Sequence, residues 1–221
     1  MNSTPIVDVI IPAFNEEKSI VKVIGDIPKL VRHVVVANNN STDRTAEVAM
    51  EGGAQVVFEP QKGYGKACLT AMEWIKRQEV QPDILVFLDG DYSDYPEELE
   101  DLIAPILADK ADLVIGSRSM GQREVGSMTF PQVFGNGLAT LLMRWMYGAK
   151  FSDLGPFRAI SWSKLLGLGM VDQNFGWTIE MQIKAHQAKL RYLEVPVTYR
   201  KRIGVSKVSG TVKGVIGAGY K

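Results

Sequence analysis

Short runs of Val, Ile and Leu, each followed by a polar break and then by helical periodicity, dominate the first half of this chain. They are VDVIIPAF (7–14), VVVAN (34–38), AQVVF (54–58), ILVFLD (84–89) and DLVIGS (112–117). A strand with one wet face alternates apolar and polar residues. These runs barely alternate, so both faces are buried, as in a parallel sheet covered by helices on both sides. Between them, Ile20, Val23, Ile24 and Ile27 recur at helical spacing. Further helices are predicted from the Ser41–Thr42–Asp43 opening to about Glu51 and from about Lys66 to Gln78. The expected fold is therefore α/β, a mostly parallel sheet with helices on both faces. In such sheets the ligand sits beyond the carboxyl ends of the strands. The unusual polar clusters lie there: Asn15–Glu16, Asn38–Asp43, Gly63–Lys66 and Asp89–Asp94.

The second half is less regular. An apolar helix interrupted by glycines is expected over 131–149, a helix from Thr178 to Gln187 and a strand over 193–199, followed by a basic tail. No repeat or linker divides the 221 residues, so a single domain over 1–221 is expected. Residues 1–117 would form its nucleotide half and 118–221 its acceptor half with a basic, mobile tail. The helix at 133–147, with Val133, Phe134, Leu138, Leu141, Leu142, Trp145 and Met146 beside Arg144, admits two readings. It packs in the core, or it lies in a lipid interface near an anionic headgroup.

Composition removes several functions. One cysteine, Cys68, excludes an internal disulfide, and two histidines, His33 and His186, exclude a multi-histidine metal site. Basic and acidic residues balance at 25 each, which rules out nucleic-acid binding by bulk positive charge. The start MNSTPIVDVI lacks the basic region of a signal peptide, and no uncharged apolar stretch reaches membrane-spanning length, so a cytoplasmic protein is expected. The neutrality is a sum of opposites. Residues 79–112 carry eleven acids and one base, whereas 189–221 carry eight bases and one acid. Either the surface is merely patterned or the two fields serve one site.

Asp89-Gly90-Asp91 follows the fourth apolar run directly. Two carboxylates one residue apart suit a hard cation such as Mg²⁺ or Mn²⁺, which bridges carboxylate oxygens to a diphosphate. The plain alternative is a solvated acidic turn ahead of the helix start at Pro96-Glu97-Glu98.

The ordered set IIPAFNEE, NNNSTDRT, KGYGKA and DGD resembles the family 2 glycosyltransferases of the GT-A fold. The later GSR, GPFRAI, EMQIKA, EVPVTYRKRIG and SK are similar to the branch that transfers sugars to dolichyl or polyprenyl phosphate. The resemblance covers roughly residues 5–207. It implies an enzyme: inverting, metal-dependent transfer of a hexosyl group from a UDP- or GDP-sugar to a polyprenyl or dolichyl phosphate. It also implies work in the cytoplasm, peripherally at the inner face of a membrane.

Carried over residue by residue, the resemblance puts Pro12, Ala13, Asn15, Glu16 and Asn39 around the nucleoside. It puts Gly63, Lys66, Asp89, Gly90 and Asp91 beside the donor phosphates, with Asp91 as the metal ligand. Asn39 stands where most relatives carry an aspartate, and Ser93, with Asp94 beside it, where many carry a glutamine ligand. Arg118 and Arg158 match arginines near the acceptor phosphate. Glu180 matches an acid on the acceptor side, and Arg200, Arg202 and Lys207 match a tail that closes over the phosphates.

Two other readings remain open. The same donor chemistry on a glycan, glycolipid or small-molecule acceptor would need a carboxylate base, for which Glu180 and Asp153 are the second-half candidates. A non-catalytic sugar-nucleotide-binding protein is the other, suggested by Asn39 and Ser93. A nucleotidyltransferase is disfavoured because PAFNEE stands where its glycine-rich loop would be, and a dehydrogenase because no G-x-G-x-x-G follows the first strand.

Overall fold

In the computed structural model, which describes residues 4–204, the apolar runs become β1 (Val7–Ala13), β2 (Val31–Asn38), β3 (Gln55–Phe58), β4 (Ile84–Phe87) and β5 (Leu113–Ser117). Every residue of β4 and β5 is buried, as their unbroken apolar character requires. The sheet has seven strands in the order β3-β2-β1-β4-β6-β5-β7. All run parallel except β6 (Arg158–Ser161), which lies antiparallel between β4 and β5; β7 (Tyr192–Pro196) closes the edge beside β5.

Neither β6 nor the helix that follows it, α6 (Trp162–Leu168), was expected from the sequence. Four residues beginning with an arginine give too little apolar signal to read as a central strand. Tertiary pairing overrides local pattern there.

The two faces divide the helices. On one face α1 (Ile20–Asp26), α2 (Thr45–Glu51) and α4 (Leu99–Leu107) bring Ile20, Ala49 and Leu102 onto Val9, Ile11 and Val86. On the other, α3 (Tyr64–Lys76), α6 and α7 (Trp177–Gln187) bring Ala71, Leu165 and Trp177 onto Ile10, Leu85 and Phe87. Each large side chain buried this way contributes about 1.5–3 kcal/mol. The remaining helix, α5 (Phe130–Tyr147), buries Met143 alone. The core-packing reading of that helix is therefore wrong: Phe134 and Leu141 are each 61% exposed.

Candidate active site at the carboxylate turn

A pocket of about 270 Å³ opens at the carboxyl ends of β1 and β4. Pro12, Ala13, Glu16, Asn39, Gly63, Asp89, Gly90, Asp91 and Arg202 line it, together with Phe14, Lys62, Tyr64, Ala67 and Phe175. Its floor is the turn after β4, where Tyr64 Oη donates to Asp89 Oδ1 at 3.1 Å. Burial, with the Asp91 charge beside it, pushes the Asp89 carboxyl up to about 6. Asp91 Oδ1 accepts from the Ser93 backbone N–H and hydroxyl at 3.0 and 2.5 Å, and Oδ2 faces Arg202 at 2.7 Å.

Asp94 is also buried, and neither of its carboxylate oxygens has a hydrogen-bond partner among the described residues. Burial and the charges of Asp89 and Asp91 push it well above the usual carboxylate range. An acid cluster with unsatisfied buried oxygens lacks positive charge. These are the hard donors that a divalent cation takes. Among the described residues no group of three or more ligating side chains is set to enclose a metal alone. The cluster therefore fits an ion held open-sidedly, by one or two carboxylates plus ligand oxygens.

The basic segment lies directly on this turn. The Arg200 N–H donates to Ser93 O at 2.9 Å and the Ile203 N–H to Asp91 O at 2.9 Å, so residues 200–203 run along the carboxylate turn. Tyr199 forms bridges with Asp94 on one side and Arg123 on the other. The Arg200 guanidinium is sandwiched between the rings of Tyr92 and Tyr95, at 3.4 and 4.1 Å. Tyr92 adopts a positive φ of 64°, a conformation unfavourable for a side chain this large and held by that packing. The acidic and basic stretches of the sequence thus meet in one place. Lys207 lies outside the described residues.

Other predicted residues serve the walls rather than the cavity. Asn15 packs the first turn onto the second: its backbone N–H donates to Ser41 Oγ and its Oδ1 accepts from the Thr42 N–H. Asp43, one residue ahead of the Arg44 N-cap of α2, accepts from the Thr45 N–H and from the Glu17 N–H across the two turns. Asn39 lines the pocket, but its amide is spent on backbone. It donates to Glu59 O and Gln61 O at 3.3 and 2.7 Å and accepts from the Gly63 N–H at 2.8 Å. An aspartate there would set a carboxylate against two carbonyl oxygens, which explains the asparagine on structural grounds.

The KGYGKA stretch is shaped by another segment of chain. A Cβ on Gly65 would stand 2.0 Å from Asp172 O, and one on Gly63, at φ 150°, 2.1 Å from Gln173 O. Gly65 and Lys66 donate their N–H groups to Asn174 O and Gln173 O. Lys66 itself lines a separate hollow with Trp74 and Arg77, its ammonium 4.0 Å from Glu59. Glu180 accepts from the Val171 and Asp172 N–H groups at 2.9 and 2.7 Å and pairs with Lys184 at 2.7 Å. It fixes the loop that carries Phe175 into the pocket.

Arg118 and Arg158 come from adjacent strands, at the end of β5 and the start of β6. Asp153 grips Arg118 through Nε and Nη2 at 2.9 and 2.6 Å, and Nη1 makes no hydrogen bond among the described residues. The Arg118 charge still reaches Asp89 and Asp94 and offsets part of the rise that burial and the neighbouring carboxylates impose on both. Arg158 is fully buried and donates to the carbonyls of Leu154, Gly155 and Thr178. Burial draws its guanidinium down to about 10. Sequence reasoning missed Tyr64 and Phe175. Tyr64 sits inside the KGYGKA motif, so its neighbourhood was visible, whereas nothing local marks Phe175.

Residues 8–166 match the family model described as glycosyl transferase family 2. An uncharacterized glycosyltransferase of Mycobacterium tuberculosis is 38% identical over 216 residues, covering 95% of this chain and 93% of that protein. A dolichyl-phosphate hexose transferase of Haloferax volcanii is 30% identical over 205 residues, 90% of this chain and 85% of that one. Among solved structures, glucosyl-3-phosphoglycerate synthase of M. tuberculosis in complex with Mn²⁺ and UDP-glucose superposes with a TM-score of 0.74 at 22% identity. It covers 98% of this chain and 76% of that one, a likeness of fold.

Proposed function

This chain belongs to glycosyl transferase family 2 and is a glycosyltransferase, and from that premise we propose that it moves a hexosyl group from a nucleotide diphosphate sugar to a polyprenyl or dolichyl phosphate. The observation that carries the reading is the meeting of Asp89, Asp91 and Arg202 at one pocket, with the buried Asp94 carboxylate on the same turn. Carboxylates for a cation, with guanidinium groups beside them, are what two phosphate-bearing substrates require if they are to be held together.

In the proposed reaction an oxygen of the acceptor phosphate attacks the anomeric carbon. The bond from that carbon to the diphosphate oxygen breaks, and the configuration inverts. A phosphate monoester, with a second pKa near about 6, is already a nucleophile at neutral pH and needs no strong base. Mg²⁺ or Mn²⁺, held by Asp91 with Asp89 or Asp94, would neutralise the departing diphosphate. Arg202, already against Asp91, is the cation in position to take diphosphate oxygens. Arg118, aligned by Asp153, has its Nη1 donors left for the acceptor phosphate. Phe14 and Phe175 offer faces to the nucleoside, with Lys62 4.7 Å above the Phe14 ring.

The hydroxyl-acceptor alternative draws less support. Glu180 and Asp153, its two candidate bases, are both engaged, one by a loop backbone and Lys184 and the other by Arg118. The phosphate-acceptor reading implies peripheral work at the inner face of a membrane, and no described helix is long and apolar enough to cross one.

The test is transfer of labelled hexose from UDP- and GDP-sugars to a polyprenyl phosphate, with Mn²⁺ or Mg²⁺. The expected result is a solvent-extractable sugar phosphate lipid, absent with a chelator and absent in Asp91→Ala. Label passing only to glycan or small-molecule acceptors would overturn the acceptor assignment, and no turnover of any nucleotide sugar would overturn the donor assignment.

A further inference from the structure

Helix α5 is amphipathic in the wrong sense for a globular protein. The side that touches the domain carries Gln132, Asn136, Ala139, Thr140 and Met143. Asn136 binds the loop beneath it, accepting from the Leu154 N–H at 2.8 Å and donating to Ser152 O at 3.2 Å. The opposite side carries Phe130, Phe134, Leu138, Leu141 and Trp145, recurring every three or four residues along the helix. Phe130 and Trp145 are each 81% exposed. Phe130 and Phe134 stack on one another at 6.3 Å, with no other ring partner among the described residues. Gly135 and Gly137 face open space. An apolar stripe of this length on a soluble surface marks a contact with something apolar.

We infer that α5 is a membrane-docking helix that lies in the interface of an anionic bilayer with Phe130, Phe134, Leu141 and Trp145 in the acyl region. The choice of a bilayer over another protein rests on charge. The helix has no acidic residue and carries exposed Arg144. The segments flanking it in sequence, 119–129 and 148–152, add exposed Arg123 and Lys150 against one acid, Glu124, whose carboxylate accepts the Lys201 N–H. Basic residues around a Trp- and Phe-bearing apolar face fit anionic headgroups above acyl chains. At 18 residues the helix is about 27 Å long, enough to lie flat as a float.

The inference deepens the lipid-phosphate reading and rests on it for its choice of occupant. It also adds a mechanical link. Asn136 holds the loop at 152–154, and Asp153 in that loop grips Arg118. The helix that touches lipid therefore sets the height of the arginine proposed for the acceptor phosphate.

The experiment uses the full chain and vesicles of phosphatidylglycerol and phosphatidylcholine. A Leu141→Cys variant is labelled with an environment-sensitive dye; the native Cys68 is fully buried, so the new site takes the label. Dye emission is expected to rise with anionic vesicles and stay flat with neutral ones. In the double variant Phe134→Glu/Trp145→Glu, flotation with anionic vesicles is expected to fall about 100-fold, with thermal stability unchanged because both residues are already exposed. Transfer to a short, water-soluble isoprenyl phosphate is measured alongside.

Absent flotation of the wild type, with transfer to the soluble acceptor intact, overturns the docking helix and spares the function. Strong flotation with no transfer to any prenyl phosphate overturns the function and spares the helix. A dimer in sedimentation velocity that dissociates in the double variant, without vesicle binding by either form, assigns the face to a second copy and overturns the inference. High dye emission without vesicles that drops on removing residues 206–221 assigns it to the chain's own tail and likewise overturns it.

Discussion

Helices α3 and α5 carry equally clear apolar stripes, and the structure turns them in opposite directions. In α3, Ala67, Cys68, Ala71, Met72 and Ile75 face the sheet. In α5 the stripe faces away, and an asparagine and a threonine face the protein. Periodicity therefore reports that a helix has an apolar side. It does not report what that side meets. The distinguishing signal is the size of the stripe residues: α3 builds its stripe on Ala67, Cys68 and Ala71, small enough for close approach to strands, whereas α5 sets large aromatics along the stripe and amides opposite.

Four substitutions would break or sharpen that contrast. Ile75→Ala, which empties a fully buried site on α3, should cost about 2–5 kcal/mol in denaturant unfolding. Gly65→Ala should cost about 1–3 kcal/mol, because its methyl would overlap Asp172 O; donor binding should weaken as Phe175 shifts with that loop, read as a raised KM for the sugar nucleotide. Asn136→Ala on the inward side of α5 should cost about 1–2 kcal/mol, two lost hydrogen bonds at a half-buried loop, and should lower transfer by loosening Asp153 beneath Arg118. Leu141→Glu on the outward side should change stability by less than about 0.5 kcal/mol, measured by the same unfolding curve. A large loss for Leu141→Glu together with a negligible one for Ile75→Ala would reverse the assignment of the two faces.

How legible the molecule was follows from the range over which each signal acts. The parallel sheet was readable because strand burial on both faces leaves an unbroken Val/Ile run inside a handful of residues. The site's rim was readable because strand ends in such a sheet converge. The roles of individual rim residues were harder, since they depend on partners distant in the chain. The resemblance puts Gly63 beside the donor phosphates, yet the missing side chains of Gly63 and Gly65 make room for the backbone at 172–173. Arg158 has a phosphate-binding residue type, yet it is sealed among carbonyls of residues 154, 155 and 178. The charge asymmetry was the exception. It was long-range and still visible, because an excess of one sign over thirty-odd residues survives averaging in a way that a single contact does not.

The antiparallel strand β6 has a consequence for how the chain can be assembled. Since β4 and β5 touch only through it, residues 113–117 have no place in the sheet until residues 158–161 have arrived, and β7 hangs on β5 in turn. A ribosome that has released the first 117 residues has made four joined strands and one orphan. The rim that carries Arg118 and Arg158 closes last, after the carboxylate turn it faces is already built. A circular permutation or a cut near residue 117 should thus yield a half that keeps its first four strands together and a half that cannot hold its own.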